Sequence, residues 1–166
     1  YLGVADPVKE KFVSGRLSPG LLWLVLNAPD HYVRILQPDN PYLSPAYDRL
    51  KHILTDIQTL AQRNDAEFII VDIPHESYVD PYYLTIMRDL GLQTSDTTPT
   101  SALPVTSIQS LIENTGVGFI PNLDVFRREC RKDCYFPLDT HMNAKAHQLI
   151  AQNVADYFKR LEILSR

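Results

Sequence analysis

The sequence predicts an α/β protein: a three-layer α/β/α arrangement in which helices cover a parallel sheet that is incomplete within this chain. Three observations lead to this expectation. Apolar residues return at helical spacing in several segments. Short apolar runs stopped by proline lie between those segments, as buried parallel strands do. Only two such runs occur in 166 residues, against the ~5 strands of an average sheet. Further strands are therefore expected either near residues 1–13 or upstream of Tyr1. Because the chain opens on Tyr1 rather than Met, it is expected to be a processed or truncated product.

The elements follow in order. Ser18 with Pro19 behind it suits a helix start, Ser as the N-cap and Pro at the first helical position. Pro29 breaks the apolar stretch Leu17–Leu36, which predicts a short helix and then an irregular segment. Pro38, Pro41 and Pro45 mark a loop. Tyr47, Leu50, Ile53, Leu54, Ile57, Leu60 and Ala61 then recur at helical spacing and predict an amphipathic helix ending near Asn64. The run Phe68–Ile73, stopped by Pro74, predicts a buried strand. Tyr82–Leu90 reads as a helix closed by Gly91, which enters the left-handed conformation without penalty. Residues 93–104 are polar and predict a loop. A helix over Ser107–Asn114, a strand over Val117–Ile120 stopped by Pro121, and a helical turn or two over Asp124–Cys130 come next. The closing helix is predicted from Asn143, with Ala146, Leu149, Ile150, Val154, Tyr157, Phe158 and Leu161 on its buried face.

Length suits one domain over 1–166, or the carboxyl-terminal half of a larger one. With 45% apolar and 22% charged residues the composition is that of an ordinary globular protein. A formal net charge of -4 gives no electrostatic reason to expect nucleic acid or an anionic membrane as partner. The dense basic cluster Arg127, Arg128, Arg131 and Lys132 is interrupted by Glu129 and Asp133, and reads as a solvated face. The longest apolar run, Leu21–Leu26, is far short of the ~20 residues of a membrane span.

Chemistry is suggested by the stretch LDTHMN, residues 138–143, which falls in a loop just before the last helix. Reactive groups in α/β proteins collect in loops of this kind. A carboxylate beside an imidazole fixes the imidazole tautomer and stabilises the imidazolium, which is what a general base needs to take a proton from a hydroxyl. Asp139 would orient and His141 would act. Asn143 either belongs to the same cleft or caps the helix, and the plain alternative is a polar helix entry with a surface imidazole.

Residues 136–158, with Asp139, His141 and Asn143 ahead of an Ala-containing amphipathic helix, resemble the last block of the SGNH (GDSL-type) hydrolases. That resemblance implies a three-layer, flavodoxin-like sheet fold and a serine ester hydrolase, with an ester or O-acylated carbohydrate as substrate and transfer of the acyl group to water or to another acceptor. It implies His141 and Asp139 as triad partners and no cofactor or metal. The Gly-Asp-Ser block of that family occurs nowhere in the chain, so the resemblance places the nucleophile on an upstream segment and implies that this chain alone is inactive. One residue, Thr140, separates Asp139 from His141 where the family commonly has two. The other functional reading is an accessory or binding domain without catalysis.

Several residues compete for attention. Ser77, in a loop after the first strand, is the best-placed internal serine but lacks the glycines of a nucleophile elbow. His75, beside Glu76, could line the same cleft, although a polar turn explains both. Ser14, Ser18 and Ser44 read as turn and cap residues. Tyr78, Tyr82 and Tyr83 suit either a carbohydrate pocket wall or core-edge packing. Cys130 and Cys134 suit a disulfide, which would favour an exported or periplasmic protein; with His141 and His147 they also approach zinc-ligand spacing, with a gap shorter than usual. An open sheet edge would invite pairing with a second copy of the chain.

Overall fold

The computed structural model describes residues 5–36 and 43–161, and within them the chain is mostly helical, with 61% helix and 5% strand. Helices α1 (Asp6–Val13), α2 (Pro19–Asn27), α3 (His31–Leu36) and α4 (Leu43–Arg63) precede strand β1 (Ile69–Val71). Then come α5 (Pro81–Asp89), α6 (Leu103–Ile112), β2 (Gly118–Ile120), α7 (Leu123–Glu129) and α8 (Ala144–Arg160). Short 3-10 turns occupy Glu76–Tyr78 and Thr98–Thr100.

The three-layer α/β/α sheet expected from the sequence is overturned. β1 and β2 form a two-stranded parallel sheet, with Ile69 opposite Gly118 and Val71 opposite Ile120. Of the apolar run Phe68–Ile73, three residues find ladder partners and Ile73 lies exposed. Alternation of helix and strand foretells parallel pairing, but it carries no information on how many strands assemble, because each strand depends on partners far along the chain. Of the segment 1–13 in which a strand was sought, residues 1–4 lie outside the described residues and Asp6–Val13 is α1, where Pro7 occupies the first turn and Val8 alone is buried. Helix α4 buries no residue completely and leaves Ile53, Ile57 and Leu60 exposed.

Local signals shaped the helix ends. The Ser18 side chain accepts the Leu21 N–H at 3.3 Å ahead of Pro19, and Asp80 caps α5 by accepting from Tyr82 N at 2.8 Å. Gly91 sits at φ +92 past the end of α5. The segment after Pro29 was expected to be irregular; the chain restarts there as α3, because a proline ahead of a first turn forfeits no helical hydrogen bond. Part of the proline-marked loop, residues 37–42, lies outside the described residues, and Pro45 falls within the first turn of α4. At Gly118 an added Cβ would lie 2.7 Å from the Tyr157 hydroxyl and 3.0 Å from Ile69 Cγ1, so glycine is what lets α8 close onto the sheet.

Two hydrophobic clusters result, and α5 serves both. Met87 and Leu90 of α5 pack with Val8, Leu17, Leu21, Leu22, Tyr32 and Leu92. Tyr83 of α5 packs with Tyr78, Leu123, Phe126, Tyr135, Ala146 and the cysteines. Tyr78 and Tyr83 are thus core residues rather than walls of a carbohydrate pocket.

Between α7 and α8 the chain forms a hairpin that presents the LDTHMN stretch. Its base is an antiparallel bridge between Tyr135 and Met142, with Phe136 N donating to His141 O at 2.9 Å. A disulfide joins Cys130 to Cys134, and both residues are fully buried. Asn143 N donates to Cys134 O at 2.9 Å, while the Asn143 side chain donates to Asp133 O and accepts from Lys145 N and Ala146 N. The buried Tyr135 hydroxyl donates to Pro74 O at 2.6 Å, fastening the hairpin to the loop after β1.

Replacing Tyr135 by Phe removes one donor and strands a buried carbonyl, which costs about 1–3 kcal/mol. Urea unfolding of Tyr135→Phe is expected to show that loss as a lower midpoint at unchanged slope; an unshifted midpoint would mean the bond contributes nothing.

Candidate functional site

Two loops meet at the candidate site. The first follows β1, running from Asp72 to Tyr78, and is held at its root by Asn122. The Asn122 side chain donates to Asp72 O at 2.7 Å, its backbone N–H donates to the Asp72 carboxylate at 3.3 Å, and Asn153 of α8 donates to Asn122 Oδ1 at 2.9 Å. Burial raises the pKa of Asp72, against the lowering effect of the Asn122 and Leu123 backbone N–H groups. The second loop is the tip of the hairpin, Phe136 to His141.

At that tip Asp139 Oδ1 lies 3.2 Å from His141 Nδ1. The side chains are 41% and 80% exposed respectively, so burial does not hold the pair together. Backbone shape does. Leu138 at φ 63 and Thr140 at φ 66 both adopt the left-handed conformation, on either side of Asp139. Non-glycine residues rarely do so, and a β-branched residue such as Thr140 is disfavoured there by about 1–2 kcal/mol. Strain of this kind persists where the surroundings over-determine it. Here Ser18 N donates to Leu138 O at 3.0 Å and Asp139 N donates to Phe136 O at 3.2 Å. The two turns fold the Asp139 carboxylate back toward the imidazole, leaving His141 Nε2 free of the pair.

In the other loop, His75 Nδ1 accepts from Ser77 N at 3.3 Å and lies 2.7 Å from Ser77 Oγ. A ring nitrogen that accepts a backbone N–H carries no proton, so the Ser77 hydroxyl donates to it and the neutral ring holds its proton on Nε2. Burial, helped by the neighbouring His31, lowers the His75 pKa to about 4 and keeps the ring neutral. The distance is that of a nucleophile and its base, but Ser77 is completely buried. A hydroxyl without exposure cannot meet the carbonyl of an external substrate, so the pair works as a cap for the turn at Glu76–Tyr78.

Also in this loop is Glu76, only 6% exposed. Burial and then the charge of Asp139 push its carboxyl up to about 8, so it is protonated at neutral pH. Two carboxyl groups of which one must keep its proton make a usual acid/base arrangement. Sequence reasoning treated Glu76 as part of a polar turn. Its burial comes from packing against elements distant in sequence, and the one local hint was its place directly after a strand-ending proline and His75.

The structure therefore brings His75, Glu76, Ser77, Asp139 and His141 into one region and makes Asn143 the N-cap of α8. Cys130 and Cys134 are bonded to each other, so neither sulfur is a thiolate ligand, and His147 is exposed on α8. Among the described residues no group of three or more His, Cys, Asp or Glu side chains is placed to hold a metal ion, and no helix is long and apolar enough to cross a membrane. Compared with known proteins, the chain matches no family model, no curated protein and no solved structure. Nothing in these comparisons identifies an SGNH hydrolase.

The displaced pKa values of Glu76 and His75 oppose each other in stability. Glu76 binds a proton when folded and releases it when unfolded between pH 4.5 and about 8, so its contribution falls as pH rises through that window. His75 binds a proton only when unfolded between about 4 and 6.5, so its contribution rises over that range. The slopes are expected to cancel near pH 4.5–6.5, with stability then declining toward pH 8. In Glu76→Gln the decline should vanish. At pH 8 the variant should exceed the wild type by on the order of 3 kcal/mol, measured by urea unfolding across pH; parallel profiles for the two proteins would refute the buried-acid assignment.

Proposed function

We propose that the loop Asp139–Thr140–His141 is the proton-handling part of an ester-hydrolysing site. The observation that carries this reading is the Asp139–His141 pair at 3.2 Å, shaped by left-handed residues on both sides. A helix entry alone would not require two disfavoured conformations around one acid, since Asn143 already caps α8. In the proposed reaction Asp139 accepts the His141 Nδ1–H and so leaves Nε2 as the base. Nε2 takes the proton of a nucleophilic serine hydroxyl as that oxygen attacks the ester carbonyl. It then gives the proton to the departing alcohol, and water repeats the sequence to release the acid. The substrate class is an ester, such as an O-acyl group on a carbohydrate.

Ser77 is too deeply buried to be the nucleophile, so the reading places the attacking serine on a segment upstream of Tyr1, with the oxyanion donors beside it. The elevated Glu76 carboxyl supports the same reading: a neutral acid next to Asp139 leaves a single carboxylate charge for His141 to meet.

The chain alone is expected to hydrolyse p-nitrophenyl acetate no faster than background. A form extended upstream of Tyr1 should turn over acetylated sugars, with His141→Ala lowering kcat by ~10^3-fold or more and Asp139→Asn by ~10^2-fold. Extended protein in which both variants keep the wild-type rate would reduce the loop to a helix entry.

A further inference from the structure

On another face of the molecule the hairpin borders an open cleft of about 760 Å³, walled by the end of α7, the start of α5 and the first turn of α8. Its volume is within the ~300–1,000 Å³ of small-molecule sites. Five cations line it: Arg127, Arg128, Arg131, Lys132 and Lys145. The whole chain has 16 Lys and Arg and a net charge of -4, so this concentration of positive charge runs against the protein's balance.

The individual partners show which charges are spent. Lys145 bonds both Asp133 oxygens at 2.8 Å and also Glu129 O, and Arg128 Nε bonds Glu129 Oε1 at 2.7 Å. Asp80, the remaining carboxylate of the lining, caps α5. Arg127 is different. It donates to two neutral carbonyls, Tyr78 O at 2.9 Å and Ser101 O at 2.7 Å, so its guanidinium is fixed in place while its charge stays uncompensated. Arg131, at φ 43, makes no side-chain hydrogen bond or ion pair among the described residues. Lys132 Nζ stands 4.9 Å from the centre of the Tyr82 ring and has no carboxylate partner there. The buried disulfide stiffens the segment that carries these groups.

We propose that this cleft binds a small molecule through a dianionic phosphoryl group held by Arg127, Arg131 and Lys132. A guanidinium pre-positioned by bonds to carbonyls loses little freedom on binding such a group, and the N–H donors not spent on Tyr78 O and Ser101 O are left for its oxygens. Asp80, whose bond is to a neutral N–H, keeps its charge and opposes one of these three cations, and the balance of two positive charges fits a dianion better than a single carboxylate. The remaining volume accommodates a body the size of a sugar, so the basic cluster is more than a solvated face.

Titrations of the isotopically labelled chain with inorganic phosphate, inorganic sulfate, glucose 6-phosphate and glucose, followed by NMR at constant ionic strength set with chloride, test this. Saturable shifts at Asp80, Arg131 and Lys132 are expected with the dianions and not with glucose or chloride. The phosphorylated sugar should bind more tightly than phosphate if the cleft also holds the organic body, and equally if only the charged group is recognised; either result supports oxyanion binding. Arg131→Gln with Lys132→Gln should weaken binding at least tenfold while the melting temperature holds, and Arg131→Lys should retain most of it. Shifts that fail to saturate, that chloride reproduces, that glucose matches, or that survive the double variant overturn the proposal.

Discussion

The hydroxyl of Tyr135 reaching the carbonyl of Pro74 is the interaction on which the arrangement of both loops depends. Pro74 ends the run that supplies β1, and its carbonyl has no ladder partner there because the sheet stops after three residues per strand. A buried carbonyl without a donor is costly, and the phenol that satisfies it belongs to the hairpin bearing Asp139 and His141. One hydrogen bond therefore converts the end of a short sheet into a fixed platform for a loop much later in sequence. Tyr135 is itself locked between Tyr83 and Phe126 by ring contacts at 5.3 and 6.1 Å. Its burial also drives its phenol pKa upward, so it remains a donor at any ordinary pH.

Around that platform charge is managed by contrast in exposure. Glu76 and His75 are tucked in and held neutral, whereas Asp139 and His141 face water. Neutral groups beneath and polar groups above avoid the like-charge conflict that two ionised carboxylates would create. The Asp139–His141 pair is then governed by backbone geometry, which suits a loop that must meet another molecule. The basic cleft works the other way round: the Arg127 guanidinium is fixed by carbonyls from two different turns, and Arg131 and Lys132 are exposed.

Sequence legibility followed distance along the chain. Ser18 before Pro19, Gly91 after α5 and Asn143 before α8 act within a few residues, so their roles as caps and terminators could be read directly. The closeness of Asp139 and His141 is equally local. Sheet size was misread, since Phe68–Ile73 looks the same whether one neighbour or several pair with it. The restart of α3 after Pro29 was missed because a proline signals both an end and a beginning. Glu76 was passed over as a turn residue, as nothing adjacent to it reports that Asp139 and the buried rings of Tyr83 and Tyr135 lie near.

The disulfide has a kinetic meaning. Closing so short a loop restricts the unfolded chain only modestly, by about 2 kcal/mol in the chain-entropy treatment, and both sulfurs are sealed from solvent. A thiol reagent in solution must wait for the segment between α7 and α8 to open before it can attack. That opening separates Cys134 from Asn143 and disturbs the neighbouring Tyr135, the two residues that seat the hairpin. The rate at which dilute reductant cleaves this bond is therefore a clock for breathing of the Asp139–His141 loop, readable without any substrate.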